Sequence, residues 1–234
     1  MLELTFGTWR FAIERTQPTQ TELVTLYNQV APSWHNAVHR LGYDQAYAHL
    51  FDRLQSEQRL PLPQAAQVLD CGIGTGMLSL ALHQVSGQPL QLHGIDISPQ
   101  MLHVARDLFQ QAGVTAQLDC RDTHHLLYPA NHFNLVMCAH MLEHVADPAA
   151  VLAEMTRVLR PGAPLLVIIT ANSLFDTLLR FKYRHAHLCP AQIADWMRTA
   201  GLQEVRFYEL KTGSLWRQGH SIACWGRKAS DDCQ

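Results

Sequence analysis

The sequence predicts an α/β protein with a seven-stranded, mostly parallel sheet, helices on both faces and an N-terminal helical layer. From residue 67 onward, short β-rich apolar runs alternate with helix-length amphipathic segments, as in a series of βαβ units. The segment between the last two apolar runs is too short for a crossover helix, so these runs should pair as an antiparallel hairpin at one edge. Before residue 62, apolar residues recur at helical spacing instead.

Size and composition limit the classes of function. A chain of 234 residues with 47% apolar content favours one large domain over two small ones. The net charge of −2 comes from 18 basic and 20 acidic residues without a basic run, which argues against a nucleic-acid partner. Charged residues interrupt the first seventeen positions, and no apolar run is long enough to cross a membrane. We therefore expect a cytoplasmic monomer or homodimer with no membrane contact.

The six cysteines are scattered and form no CxxC motif. Several of them lie in runs that read as buried strands, where cysteine acts as a small apolar residue. We expect reduced thiols, with neither disulfides nor a zinc site.

Residues 1–60 are predicted to form an N-terminal helical lid region, followed by a sheet-forming domain over 61–234. Apolar side chains from Leu23 to Val30 line one helical face, with Thr21 as a plausible N-cap, and a second helix follows Gly42. The first fifteen residues allow either a short strand or an ordered arm.

The predicted elements follow in order along the rest of the chain. The strands are Gln67 to Asp70, Leu90 to Asp96, Ala116 to Cys120, Phe133 to Ala139, Leu165 to Thr170, Glu204 to Leu210 and Ser221 to Gly226. The helices are Met77 to Val85, Pro99 to Gln111, Pro148 to Leu159 and Pro190 to Thr199. Each helix has polar residues on one face, as a helix that covers a sheet should.

A glycine-rich turn follows the first of these strands, in the run VLDCGIGTG over residues 68–76. Its alternate glycines let the backbone approach a ligand and turn into a helix. Two details argue against a dinucleotide site: Met77 stands where its fingerprint needs glycine, and Asp70 would repel a pyrophosphate. A carboxylate at this strand end suits a cationic ligand such as S-adenosylmethionine (SAM), which carries an ammonium and a sulfonium.

The second strand ends in another carboxylate, Asp96, twenty residues beyond Gly76. At the end of a neighbouring strand, such a carboxylate can accept hydrogen bonds from both ribose hydroxyls. The alternative role, N-cap of the helix that begins at Pro99, belongs more naturally to Ser98.

Five motifs in order resemble the small-molecule branch of the class I SAM-dependent methyltransferases, the group that includes the ubiquinone and menaquinone C-methyltransferases. YNQVAPSW over residues 27–34 is the first and stands in place of the family's YDxxAxxY, with Asn28 and Trp34 as departures, and the glycine-rich turn is the second. RDTHHLLY over 121–128, followed by Phe133, resembles GDAxxLPFxxxxFD. CAHMLEHV over 138–145 and LRPG over 159–162 resemble the motifs around the fourth and fifth strands.

The resemblance implies a Rossmann-like domain that binds SAM and acts on a small molecule. It places the turn glycines near the methionine moiety, Asp96 at the ribose, Asp122 and Thr123 beside the adenine, and Tyr27 and Trp34 over the cofactor. The two aromatic residues allow an ordinary helix-packing role as well. The expected cofactor-binding residues are Tyr27, Trp34, Asp70, Gly72, Gly74, Gly76, Asp96, Ile97, Met101, Asp122, Thr123 and Ala139.

The expected reaction is in-line methyl transfer to an O, N or activated C atom of a metabolite, by orientation and desolvation. A hydroxyl acceptor needs a base, and His140, Tyr183, His185 and His187 are the candidates. Residues 181–187 equally fit a solvated loop. The pairs His140/His144 and His185/His187 have chelating spacings, yet no carboxylate cluster accompanies them, so we expect no metal. Two other functions stay open: a SAM-consuming cyclase that forms a small heterocyclic amino acid, and a non-catalytic SAM-binding subunit.

Overall fold

The computed structural model describes residues 2–6, 9–13, 19–170, 188–212 and 219–230. The strands are β1 (Leu2–Phe6), β2 (Trp9–Ile13), β3 (Ala66–Cys71), β4 (Leu90–Asp96), β5 (Ala116–Cys120), β6 (Leu135–Ala139), β7 (Pro164–Thr170), β8 (Leu202–Thr212) and β9 (Gly219–Lys228). The α-helices are α1 (Gln20–Arg40), α2 (Tyr43–Ser56), α3 (Met77–Ser86), α4 (Pro99–Gln111), α5 (Pro148–Val158) and α6 (Pro190–Thr199). A short 3₁₀ helix spans Leu142–His144.

Within the described residues, seven strands form one sheet in the order β5-β4-β3-β6-β7-β9-β8. The five strands from β5 to β7 run parallel, β9 is antiparallel to β7, and β8 is antiparallel to β9. The order reverses direction between β3 and β6, which is where ligand crevices open in sheets of this kind. The structure confirms the predicted Rossmann-like fold with its terminal antiparallel hairpin.

Both faces of the sheet are covered by helices. One apolar cluster joins the sheet to α2, α3 and α4, and the other joins it to α5 and α6. The strands that lie between the two clusters are buried almost throughout, for example Pro164–Thr170. Helices on both faces explain why these strands read as continuous apolar runs rather than alternating ones.

The N-terminal region differs from the sequence-based expectation at its helix start. Thr19, not Thr21, caps α1, because its hydroxyl accepts from the Glu22 N–H at 3.3 Å while the Glu22 carboxylate accepts from the Thr19 N–H at 2.8 Å. This reciprocal capping box satisfies two backbone donors, whereas the Thr21 hydroxyl has no comparable partner in the first turn. Ahead of α1, β1 and β2 pair as an antiparallel hairpin, which settles the choice between a strand and an arm.

The two N-terminal helices are buried to different degrees. In α1 only Leu23 and Ala31 are buried, although an apolar face from Leu23 to Val30 was expected to pack. In α2, by contrast, a full row of side chains enters the core: Ala46, Tyr47, Leu50, Phe51 and Leu54. Helix α2 is therefore part of the folded core, and α1 is the more weakly attached of the two.

Several strands begin or end a few residues away from their predicted bounds. The strand β6 begins at Leu135 rather than Phe133, because Phe133 forms an isolated bridge with Leu159 and Asn134 exchanges hydrogen bonds with Gln67. The strand β8 extends to both sides of its predicted range and carries a bulge between Gln203 and Arg206. In the part of the chain that is described, no helix combines the length and apolar character needed to cross a membrane.

Candidate functional site

A cavity of about 450 Å³ opens at the carboxyl ends of the central parallel strands, beneath α1. Its volume falls within the range of roughly 300–1,000 Å³ that is typical of small-molecule sites. Most of the site residues expected from the sequence line it: Tyr27, Trp34, Asp70, Gly72, Asp96, Ile97, Asp122, Thr123, Ala139 and His140. Gly74, Gly76 and Met101 do not line it, and Tyr183 and His187 lie outside the described residues.

The three glycines of the glycine-rich turn differ in what an added side chain would contact. A Cβ on Gly72 would come within 2.4 Å of the Met141 side chain, whereas one on Gly74 would meet no atom within 4 Å. Gly76 has a φ of +82° and faces the ring of Phe109, which would lie 2.6 Å from an added Cβ. Gly76 therefore lets α3 pack close to α4, rather than facing a ligand as the resemblance implied.

Asp96 sits at the mouth of the cavity with both carboxylate oxygens held by backbone donors. One oxygen accepts from the Gly74 N–H at 2.9 Å and the other from the Ser98 N–H at 2.8 Å. Burial raises the pKa of Asp96, and these backbone hydrogen bonds oppose the shift. Each oxygen keeps lone-pair capacity for a further donor, such as a ligand hydroxyl.

Met101, an expected cofactor-binding residue, is buried in α4 away from the cavity. Its backbone N–H donates to the Ser98 hydroxyl at 3.1 Å, and Ser98 is the N-cap of that helix, as predicted. The position of Met101 is thus explained by helix capping and core packing. Ile97, between Asp96 and Ser98, does line the cavity.

Asp70, at the end of β3, is a buried carboxyl that faces the same cavity. Its Oδ2 accepts a hydrogen bond from the Ser79 hydroxyl at 2.7 Å. Burial raises its pKa to about 7, the Ser79 hydrogen bond lowers it, and the nearby charge of Asp96 adds to the rise. A cationic ligand group beside Asp70 would relieve this cost by favouring the ionised form.

A third carboxylate, Asp122, follows β5 and is tied to α1. Its Oδ2 accepts from the Gln20 amide at 2.7 Å, and its Oδ1 lies 2.8 Å from the His124 N–H and 2.5 Å from His124 Nδ1. Partial burial acts to raise the pKa of Asp122, but the hydrogen bonds and charge of His124 outweigh it, so the net shift is downward. Thr123 lines the cavity beside it, with its hydroxyl 3.7 Å from the sulfur of Met141.

Two further hydrogen bonds attach α1 over the cavity. The Tyr27 hydroxyl lies 2.8 Å from His144 Nε2, and Asn28 Oδ1 accepts from the Ser98 hydroxyl at 2.7 Å. The Tyr27 ring also meets Trp34 edge to face, with centroids 6.1 Å apart. Asn28 stands where the resembling family has aspartate. Its hydrogen bond with Ser98 links α1 to the start of α4.

Comparison with known proteins shows what this chain is similar to. A family described as "Methyltransferase domain" matches residues 68–162. The ubiquinone biosynthesis O-methyltransferase of Xanthomonas axonopodis pv. citri is 31% identical over 156 residues, which covers 60% of this chain and 64% of the relative. The central part of the chain is thus similar to SAM-dependent methyltransferases. The chain spans just under two thirds of this relative and of the Xylella fastidiosa protein of the same name, which is 34% identical.

Solved structures show the same fold at low identity. The [4+2]-cyclase SpnF superposes with a TM-score of 0.72 at 20% identity, over 92% of this chain and 98% of that one. Magnesium protoporphyrin IX methyltransferase from Synechocystis, with bound SAH, gives a TM-score of 0.70 at 18% identity, over 90% and 100% of the two chains. These superpositions confirm the predicted Rossmann-like fold of the chain.

Part of the cavity is lined by aromatic and aliphatic side chains. Trp34, Val38, Leu41 and Tyr43, from α1 and the start of α2, line it together with His140. Of the expected catalytic residues, His140 is the one that the described residues include. It follows β6 directly and has a left-handed backbone with a φ of +55°, an uncommon conformation for a residue with a Cβ.

Sequence reasoning missed several cavity residues. Gln20, Tyr43 and Thr170 reach the site from elements distant in sequence, and no local motif marks them. Glu143 does not line the cavity, but its Oε1 lies 3.8 Å from His140 Nδ1, and its place inside the LEH motif could have marked it. Among the described residues, no three His, Cys, Asp or Glu side chains are grouped so that they could hold a metal ion.

Proposed function

We propose that this protein transfers a methyl group from SAM to a hydroxyl of a small, largely apolar molecule. The observation that carries the proposal is that two chemically different sets of side chains line one cavity. Carboxylates line it at the ends of β3 and β4 and after β5, and uncharged aromatic and aliphatic side chains line it from α1 and the start of α2. His140 lines the same cavity.

The carboxylate set fits SAM. Asp96 has acceptor capacity for the ribose hydroxyls, Asp70 faces the cavity for the cationic methionine moiety, and Asp122 with Thr123 borders the adenine end. Gly72 lines the cavity next to Met141, Gly74 holds Asp96 in place through its backbone N–H, and Ile97 and Ala139 add apolar contact. When bound, SAM supplies an activated methyl group on a sulfonium centre.

The apolar set fits an acceptor with a hydrophobic body. Trp34, Val38, Leu41 and Tyr43 offer surface area and ring faces but no charge. A charged acceptor would lose hydration here without compensation, which costs several kcal/mol (roughly 2–7 for even an unpaired neutral polar group). The ubiquinone O-methyltransferase relatives support the choice of oxygen as the acceptor atom.

His140 is the base that we propose for such an acceptor. It lines the cavity beside Ala139, at the carboxyl end of β6. A neutral imidazole can take the hydroxyl proton as the oxygen attacks, and this assistance is typically worth about 10²–10⁴ in rate. Orientation and exclusion of water by α1 would supply the rest of the acceleration.

The test is incubation with labelled SAM and matched acceptors, followed by mass spectrometry of all products. The panel should hold phenols and catechols with apolar tails, the corresponding amines, and the methylated phenols as blanks. We expect label on the hydroxyl compounds and none on the blanks, with loss of transfer in His140→Gln. Transfer to amines alone would contradict the choice of oxygen.

A second candidate function, that of a cyclase, can be tested in the same experiment. SpnF is a [4+2]-cyclase on this fold, so the fold is compatible with reactions other than methyl transfer. Incubation with SAM alone would reveal a cyclase that consumes SAM itself, as a new product without any acceptor. SAM binding with no turnover under any condition would favour the non-catalytic subunit instead.

A further inference from the structure

The imidazole of His140 is held on its Nδ1 side by two groups that come from outside the strand bearing it. Thr170 Oγ1, at the end of β7, lies 3.0 Å from Nδ1. Glu143 Oε1, in the 3₁₀ turn that follows β6, lies 3.8 Å from the same nitrogen. The Thr170 N–H donates to that carboxylate oxygen at 2.8 Å, so the three residues form one connected group.

The surroundings of Glu143 favour its ionised form although the side chain is buried. Burial acts to raise its pKa, but the nearby imidazole of His140, the hydrogen bond from the Thr170 N–H and the charge of His144 lower the pKa to about 2. Its Oε2 has no hydrogen-bond partner among the described residues. A buried carboxylate of this kind is stable only beside groups that present protons or positive charge to it.

This arrangement selects one tautomer of His140. A carboxylate only accepts hydrogen bonds, so its field favours the imidazole proton on the nearer nitrogen, Nδ1. Nε2 is then left with a lone pair; this atom is buried and has no hydrogen-bond partner in the described part of the chain, so an acceptor hydroxyl must displace the side chains that cover it. The backbone N–H of His140 donates to the Ile168 carbonyl at 2.8 Å, and Tyr43 meets the ring edge to face at 5.4 Å, so the ring is held on several sides.

The left-handed backbone of His140 supports a functional reading. A φ of +55° at a residue with a Cβ costs on the order of 1 kcal/mol and persists where surrounding contacts enforce it. Here the hydrogen bond to Ile168 and the contacts of the ring enforce it. The strained residue is the one whose side chain lies between Thr170 and the cavity.

We propose that Glu143 and Thr170 are positioning residues, which hold His140 as the Nδ1–H tautomer and stabilise the imidazolium formed during methyl transfer. The acceptor O–H proton passes to Nε2, the oxygen lone pair forms the new bond to the methyl carbon, and the methyl–sulfur bonding pair stays on sulfur. The carboxylate of a Ser-His-Asp triad orients and stabilises its histidine base in the same way. This inference rests on the proposed O-methyl transfer for its catalytic part but not for the tautomer.

The tautomer is testable in the protein alone by ¹⁵N-detected imidazole NMR, with His140→Gln identifying the His140 signals. We expect a protonated Nδ1 and an unprotonated Nε2 at pH 8. Glu143→Gln and, separately, Thr170→Val should shift His140 toward a mixture of tautomers, whereas Thr170→Ser should keep the wild-type pattern. Glu209→Gln, an exposed carboxylate on β8, is the matched charge control. A protonated Nε2 in the wild type would overturn the proposal.

The pH profile of kcat tests the catalytic part. Glu143→Gln should move the acidic limb to lower pH, because the carboxylate that stabilises the imidazolium is lost. Thr170→Val should lower kcat by about 3- to 10-fold, the worth of one hydrogen bond. SAM affinity, measured by calorimetry, should stay within about twofold in both, which also verifies folding.

The possible failures are distinguishable. If the wild type methylates no hydroxyl compound but shows the Nδ1–H tautomer, the proposed function fails and the positioning of His140 stands. If the wild type methylates hydroxyls and Glu143→Gln leaves both the tautomer and the acidic limb unchanged, the positioning role is wrong while the proposed function stands.

Discussion

Replacing Asp70 by asparagine should make the ligand-free protein more stable at high pH relative to the wild type. Asp70 has a pKa of about 7 in the folded protein, whereas its pKa in an unfolded chain is about 3.9. The folded state therefore binds more protons between these values, and stability is lost as pH rises through them. Asparagine has no proton to lose, and its side-chain oxygen can still accept from Ser79.

The magnitude follows from the pKa shift. Each pKa unit corresponds to about 1.4 kcal/mol, so the wild type should lose about 4 kcal/mol from Asp70 between roughly pH 4 and pH 7. Between pH 5 and pH 8 the loss is about 3 kcal/mol. The stability of Asp70→Asn minus that of the wild type should rise by this amount over the same interval. Any constant cost of burying an amide cancels in this comparison.

Urea unfolding of both proteins at pH 5 and pH 8 measures the effect, with Asp52→Asn on the exposed face of α2 as the surface control. Other titrating groups are common to all three proteins and drop out of the differences. Parallel curves for the wild type and Asp70→Asn would refute the reasoning, since Asp70 would then not be a buried group that ionises at a cost.

The same residue links stability to ligand binding. If Asp70 faces the cationic part of SAM, binding at pH 6 should release a proton, detectable by calorimetry in buffers of different ionisation enthalpy. The affinity of the wild type should rise as the pH increases toward about 7, and Asp70→Asn should lose both the proton release and most of the affinity. A variant that is more stable and binds more weakly would show stability given up for function.

Three other predictions concern the cofactor side and α1. Asp96→Ala should weaken SAM binding by about 100-fold or more, because two charge-assisted hydrogen bonds are worth about 1.5–3 kcal/mol each. Calorimetry measures the affinity, with Asp107→Ala as the control. Unchanged affinity in a folded Asp96→Ala variant would contradict the prediction. Gly74→Val should abolish SAM retention through purification, because a β-branched residue resists a φ of +54° and a shifted backbone would lose the Gly74 N–H bond to Asp96. Hydrogen exchange should show SAM-dependent protection in α1 but not in the buried α2, and equal protection of α1 with and without SAM would assign it to the scaffold.

Local signals in the sequence were sufficient for most of the sheet and its helices. Leu90–Asp96 and Pro99–Gln111 were predicted with the bounds that the structure has. A proline at the first helical position after a serine cap defines such a boundary within a few residues of chain. The Thr19 cap was missed because two threonines stood near the start of α1, and only the partnership with Glu22 separates them.

The roles of some residues depend on the tertiary packing around them. The resemblance implies that Gly76 approaches the ligand, and the structure adds that a Cβ there would meet Phe109, over thirty residues later. Met101 was expected to bind the cofactor, and the structure places its side chain in the core, in the first turn of α4 after the Ser98 cap. Neither neighbour can be inferred from spacing.

By itself, the sequence determined the fold class, the ligand crevice and the carboxylates at the strand ends, because strand alternation and turn chemistry act over a few residues. Only the tertiary structure decided which groups meet at His140. Glu143 is three residues away in a tight turn, while Thr170 arrives thirty residues later on the next strand of the sheet. Their contact depends on the register of β6 against β7 and on a left-handed residue between them, and no short-range pattern encodes either.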